Sequence, residues 1–164
     1  MRKLLLLTAA MAALATSAIA ADAPSMKTFG AASEIPGLIA KAKAERKGDQ
    51  PLVIEPILSL APYHADLEYR PGTSPASLHE QDAEMMLVLE GSGTAVIGGK
   101  LVGETRTNSS NLRGTSIEGG ESKPLVKGDV LIVPEKTAHQ IIPGGGAPIV
   151  LMTLHVPRPT DWPK

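Results

Sequence analysis

From Pro51 onward the chain is a succession of short apolar or alternating runs separated by glycine-rich turns, and this rhythm restricts the fold more than any other feature. Tyr63–Arg70 alternates, Ala76–His79 and Glu84–Leu89 are short strand-like runs, and Gly91-Ser92-Gly93 turns the chain into Thr94–Ile97. Leu125–Val133 is broken by a Lys127-Gly128-Asp129 turn, Thr137–Ile142 follows, and Pro148–Val156 is a continuous apolar run after Gly144-Gly145-Gly146. Many short strands at close spacing with turn residues between them predict an all-β sandwich or barrel. Leu52–Leu60 carries Pro56, which cannot donate to a sheet ladder and so predicts an edge strand or two short ones. The polar stretch Lys100–Lys123 is expected to make a long hairpin or loop excursion, returning over Thr115–Glu118.

Ahead of the barrel lies one helical period. Ile35, Leu38, Ile39 and Ala42 share a face, and lysines and acids fill the other. Ser33 is positioned as an N-cap with Pro36 in the first turn, which predicts an amphipathic helix from about Glu34 to Lys47, packed on the outside of the barrel. Gly48-Asp49-Gln50-Pro51 ends it.

The N-terminus reads as an address. Arg2 and Lys3 precede an apolar Leu4–Ala15, and Ala18-Ile19-Ala20 has the small-x-small pattern of a cleavage site. The expected organisation is a signal peptide over 1–20, a leader and helix over 21–50, a barrel over 51–157 and a tail over 158–164. The expected location is the periplasm or beyond, without a stable membrane anchor. Loss of Arg2 and Lys3 makes a formal net charge of −1 more negative, and there is no basic cluster, so nucleic acid is not an expected partner. Cysteine is absent, which removes disulfides, thiolate metal sites and cysteine nucleophiles. Any metal must be held by His, Asp, Glu, backbone or water. With only Phe29, Tyr63, Tyr69 and Trp162 as aromatics, the core falls to Val, Ile, Leu, Met and Ala.

Two stretches carry chemistry. Ser77–Gly91 brings His79 and Glu84, and Gly128–His139 brings His139. Residues two apart on a strand share a face. Glu84, Met86 and Val88 therefore point one way, while Met85, Leu87 and Leu89 point the other and need cover from the helix, a flanking sheet or another subunit. His139 shares its face with Thr137 and Ile141. A bare carboxylate in an apolar lumen is costly or protonated, and a divalent cation resolves this. Two imidazoles and one carboxylate form the facial arrangement used by non-haem iron, which leaves coordination positions open. Ser77 and Gln81 are candidates for a fourth ligand or pocket position. His64 and His155 are either spare ligands and proton shuttles or ordinary strand histidines. Tyr63, Tyr69 and Arg70 are candidates for the cavity mouth, Arg70 for an anionic substrate.

The spacing resembles the two motifs of the cupin superfamily. The first runs His-x-His, three or four residues, Glu, six residues and Gly, matched by His79, Glu84 and Gly91. The second runs Gly, five residues, Pro-x-Gly, two residues and His, with Asn four further on, matched by Gly128, Pro134 and His139. The chain departs at three positions: Ser77 stands for the first histidine, Lys136 for the second motif's glycine and Pro143 for its asparagine. The resemblance spans about Tyr63 to Val156. It implies a double-stranded β-helix of the jelly-roll type and a divalent metal (iron, manganese, nickel, zinc or copper) held by His79, Glu84 and His139. Three functions follow as expectations. The first is a metalloenzyme acting on a small organic molecule by oxygenase, isomerase or lyase chemistry. The second is a cupin that binds a small ligand or metal without turnover. The third is a structural barrel that has lost its metal. A homodimer is expected in each.

Overall fold

The computed structural model describes residues 26–159. The signal peptide read over 1–20, Trp162 and most of the tail lie outside the described residues.

The helix is α1, Ile35–Glu45, preceded by a single 3-10 turn, Ala32–Glu34. The Ser33 cap is a correction: Ser33 sits inside the 3-10 turn, and Glu34 occupies the N-cap position without a side-chain cap bond. Pro36 falls in the first turn, where its missing N–H costs nothing. The helix stops two residues earlier than expected. Arg46 leaves helical geometry, its Nε–H donating to the Gln50 carbonyl, and Gly48 takes φ 56°.

Among the described residues thirteen strands follow. In chain order they are β1 Val53–Leu60, β2 Tyr63–Arg70, β3 Ala76–His79, β4 Asp82–Glu90, β5 Ser92–Ile97, β6 Lys100–Val102 and β7 Thr105–Arg106. Then come β8 Asn111–Gly114, β9 Ser116–Glu118, β10 Glu121–Val126, β11 Val130–Val133, β12 His139–Pro143 and β13 Ile149–Pro157. The stretch 100–123, expected as a long hairpin or a loop excursion, is mostly short paired strands. Its polar residues sit on β6–β9 and the start of β10, where backbone pairing supplies the order that side-chain burial does not.

One sheet runs β1-β2-β13-β4-β11 and the facing sheet β10-β5-β12-β3-β8-β7, with β6-β9 as a small separate ribbon. The chain crosses from one large sheet to the other at β3–β4–β5 and again at β11–β12–β13, which makes the double-stranded β-helix. Pro56 lies on the edge strand β1, and the register slips between Pro56 and Leu58, the bulge that spares the ladder a missing donor.

The core is double. Inside the barrel Met86, Val88, Ala95, Val133, Ile141, Ile149 and Leu151 pack together. Each fully buried side chain of this size contributes roughly 1.5–3 kcal/mol. Outside, Ile39 and Ala42 of α1 close over Val53, Ile57, Leu67, Tyr69 and Val150. Leu89 reaches this outer cluster. Val130 and Ile132 of β11, paired with Leu87 and Met85, stay exposed on the same outer face.

Candidate metal centre

The alternation of β2 puts Tyr63, Ala65, Leu67 and Tyr69 on the outer side and His64, Asp66, Glu68 and Arg70 on the inner. Across the sheet, His155 is the Cα partner of both Glu84 and His64, so Glu84, His155 and His64 form one cross-strand row. On the facing sheet His139 pairs with Ser77, and His79 with Asn111. The crossover between sheets brings the two rows face to face.

Glu84 is the centre. Its residue is 3% exposed, and three imidazoles converge on its carboxylate. Oε2 lies 2.9 Å from His139 Nε2 and 3.3 Å from His79 Nε2, and Oε1 lies 3.8 Å from His155 Nε2. The ligand atoms of His79, Glu84 and His155 all lie within 4.8 Å of one another. The far nitrogens are tied down. Nδ1 of His139 is 3.3 Å from the Thr137 carbonyl, and Nδ1 of His79 is 2.9 Å from Asn111 Oδ1. Both partners are acceptors, so each Nδ1 carries the hydrogen, and the lone pair of each neutral ring sits on the Nε2 that faces Glu84.

This arrangement decides the fit. Imidazole lone pairs and a carboxylate facing one another repel unless a positive species lies between them. A proton does this in the metal-free chain, and a divalent cation does it better, because imidazole nitrogen and carboxylate oxygen are its common ligands. Burial alone would raise the Glu84 carboxyl, but hydrogen bonds from His139 and His79 outweigh it and hold the group well below the usual carboxylate range. Burial lowers His79, yet Glu84 and Asn111 together raise it above its ordinary value. His155 is lowered, chiefly by burial. The donor set fits a metal.

The other sequence candidates divide. Met86, Val88 and Ile141 line the apolar lumen behind Glu84, as the strand period required. His64 stacks on His155 with ring centroids 4.9 Å apart and lies 3.6 Å from Asp66. Gln81 is exposed, its carbonyl accepting from the Arg158 N–H, and it is not among the converging groups. Tyr69 lies on the outer side beneath α1, with Lys43 Nζ 5.9 Å from its ring centroid. Arg70 points inward but pairs with Glu68, Nη2 to Oε2 at 2.6 Å, and lines a lateral cavity with Ser77. Asn111, Asp66 and Glu68 were not anticipated. Asn111 sits in a polar run with no signal of its own. The strict alternation of Tyr63–Arg70, polar at every second residue, does carry the signal for Asp66 and Glu68.

No family model matches the sequence, and no curated protein matches it. Solved structures do. An uncharacterized conserved protein with a double-stranded beta-helix domain from Klebsiella pneumoniae is 14% identical, with a TM-score of 0.52 over 73% of this chain and 86% of its own. The cupin domain of Schizosaccharomyces pombe Cnp3 is 14% identical, with a TM-score of 0.50 over 70% and 71%. FeII HppE is 15% identical, with a TM-score of 0.52 over 68% of this chain and 54% of its own. The chain has the cupin fold, the double-stranded β-helix that the motif spacing implied.

Proposed function

We propose that this chain is a metal-dependent cupin-fold protein that binds one divalent cation and acts on a small organic molecule. His79, Glu84 and His139 hold the cation, and His155 completes a set of three imidazoles and one carboxylate. The observation that carries the reading is the orientation of His79 and His139, each fixed through Nδ1 so that Nε2 faces a buried carboxylate. In metal proteins the outer hydrogen bond of a ligating histidine has this role.

Ser77, at the position of the family's first histidine, is not a strong ligand. His155 supplies the missing imidazole from the last strand. These four protein ligands would leave coordination positions open for water and an organic ligand. Such a cation supplies Lewis acidity and, if redox-active, electron transfer. The chain's own residues set the surroundings. Met86, Val88 and Ile141 keep the inner side dry, and Asp66 and His64 stand beside His155 as groups able to hold a proton. The FeII of the HppE structure makes iron one candidate, alongside manganese, nickel, zinc and copper. The basic and apolar start of the sequence supports a periplasmic or secreted setting.

Elemental mass spectrometry on the purified protein tests the reading. About one transition metal per chain is expected, and loss of it in Glu84→Gln. A metal-free protein that takes up no cation on reconstitution would sink the proposal.

A further inference from the structure

A second feature of the fold lies away from the converging ligands. A cavity of about 430 Å³ lies between the two sheets on the side of β1 and β8, with Arg70, Ser74, Ser77 and Arg113 as polar lining and Leu52 and Ile54 as apolar wall. None of the four converging ligands lines it. It reaches the metal centre through Ser77, whose Cα partners are His139 on one side and Arg113 on the other. Neighbouring strands are about 4.8 Å apart, so a ligand in this cavity begins one strand away from a metal-site histidine.

The charges along the cavity are unequal. Arg70 is neutralised in place by Glu68 (Nε to Oε2 2.8 Å, Nη2 to Oε2 2.6 Å), and its Nη1 donates to Ser74 Oγ. Arg113 is exposed and has no hydrogen bond or ion pair among the described residues. Its guanidinium is the unbalanced positive charge of the cavity, with the Ser77 hydroxyl on the adjacent strand. A planar fork of N–H donors beside a hydroxyl matches a carboxylate, and Leu52 and Ile54 match a short hydrocarbon chain.

We infer that this lateral cavity is a carboxylate-binding subsite and that the substrate of the metal centre is a small organic acid, anchored by Arg113 and Ser77 and directed past Ser77 toward the metal. The substrate class rests on the metal-centre reading above; the subsite itself rests only on the cavity and its charges. The serine at the position of the family's first histidine then has a physical role: its small side chain leaves a passage where an imidazole would stand.

Calorimetric titration of hexanoate and of its uncharged counterpart hexanamide into the full-length protein tests this, with metal content measured on each sample. The wild type is expected to bind hexanoate about tenfold more tightly than hexanamide. Arg113→Gln should abolish that preference by weakening hexanoate far more than hexanamide, and Arg113→Lys, which keeps the charge, should recover part of it. Glu84→Gln, stripped of metal, should keep the preference. Absence of saturable hexanoate binding overturns the inference. So does a preference that survives Arg113→Gln, or one that disappears in Glu84→Gln, where the carboxylate would have been sitting on the metal. A wild type that holds no metal yet shows the Arg113-dependent preference defeats the metal reading and leaves the subsite standing.

Discussion

His155 Nε2 lies 3.8 Å from Glu84 Oε1, while His139 and His79 share Oε2, and the His155 and His79 rings meet edge to face with centroids 4.8 Å apart. The pair are Cα partners on adjacent strands β13 and β4, so backbone pairing rather than a flexible loop sets their approach. The approach of His155 to Glu84 and His79, with ligand atoms all within 4.8 Å of one another, predicts that His155 would contribute to metal affinity. His155→Ala should weaken binding by at least about tenfold, measured by competition with a chromophoric chelator. Ser77→His in that background should restore much of the loss, because Ser77 faces the same way as its Cα partner His139. Unchanged affinity in His155→Ala would remove this residue from the site.

Lys136 has φ 60°, the left-handed region, at the position where the family's second motif carries glycine. It keeps that conformation because its N–H donates to the His79 carbonyl at 2.6 Å, tying the β11–β12 turn to the strand that carries His79. Left-handed geometry costs a side-chain-bearing residue roughly 1–2 kcal/mol, offset in part by the greater unfolded-state entropy of glycine. Lys136→Gly should therefore raise unfolding free energy by about 0.5–1 kcal/mol in urea melts without altering metal content. A loss of stability would mean that the lysine side chain has a contact of greater value than the strain.

The sequence disclosed the barrel because strand periodicity and glycine turns are local signals, and here local and global order agree. Glu84, His79 and His139 were legible for the same reason, being fixed by spacing along two strands. His155 was legible as a candidate spare ligand or proton shuttle ending the last strand, but not as a neighbour of Glu84. Its approach to Glu84 comes from the pairing of β13 with β4, residues far apart in the chain, and no local pattern encodes such a contact. Tyr69 was misplaced toward the cavity although the alternation of β2 already put it opposite Arg70. Within 100–123 the sequence left a hairpin and a loop both open, because the order of these short strands comes from backbone pairing while their composition is that of a loop.

Gly91 closes the first motif with φ 80°, and a Cβ there would stand 2.3 Å from the Pro148 carbonyl oxygen and 3.1 Å from Ile149 Cα. Both obstacles are backbone, so the clash is relieved only by moving the start of β13. Gly91→Ala should cost about 2–4 kcal/mol of stability in thermal or urea unfolding, from the clash and the left-handed strain together. Because β13 also carries His155, metal affinity should fall with it. A stability change below about 1 kcal/mol would show that β13 shifts freely.

Asp66 faces the lumen between His64 and Thr153, and burial raises its carboxyl above the ordinary value, against the smaller opposing pull of His64 and His155. For an acid raised in the folded state, the protonated form is favoured by folding. Its stabilising effect is full below the unfolded value of about 3.9 and is lost as pH rises through the folded value. At neutral pH the ionised Asp66 is therefore a destabilising group in the metal-free protein. Asp66→Asn, which is nearly isosteric and uncharged, should stabilise the chelator-treated protein at pH 7 by less than about 1 kcal/mol, since the site is only partly buried. The gain should shrink toward zero as pH is lowered to about 4. Urea unfolding of both proteins at the two pH values measures this. A gain that grew on acidification would show that the carboxylate is held ionised by His64, and that its pairing outweighs its burial.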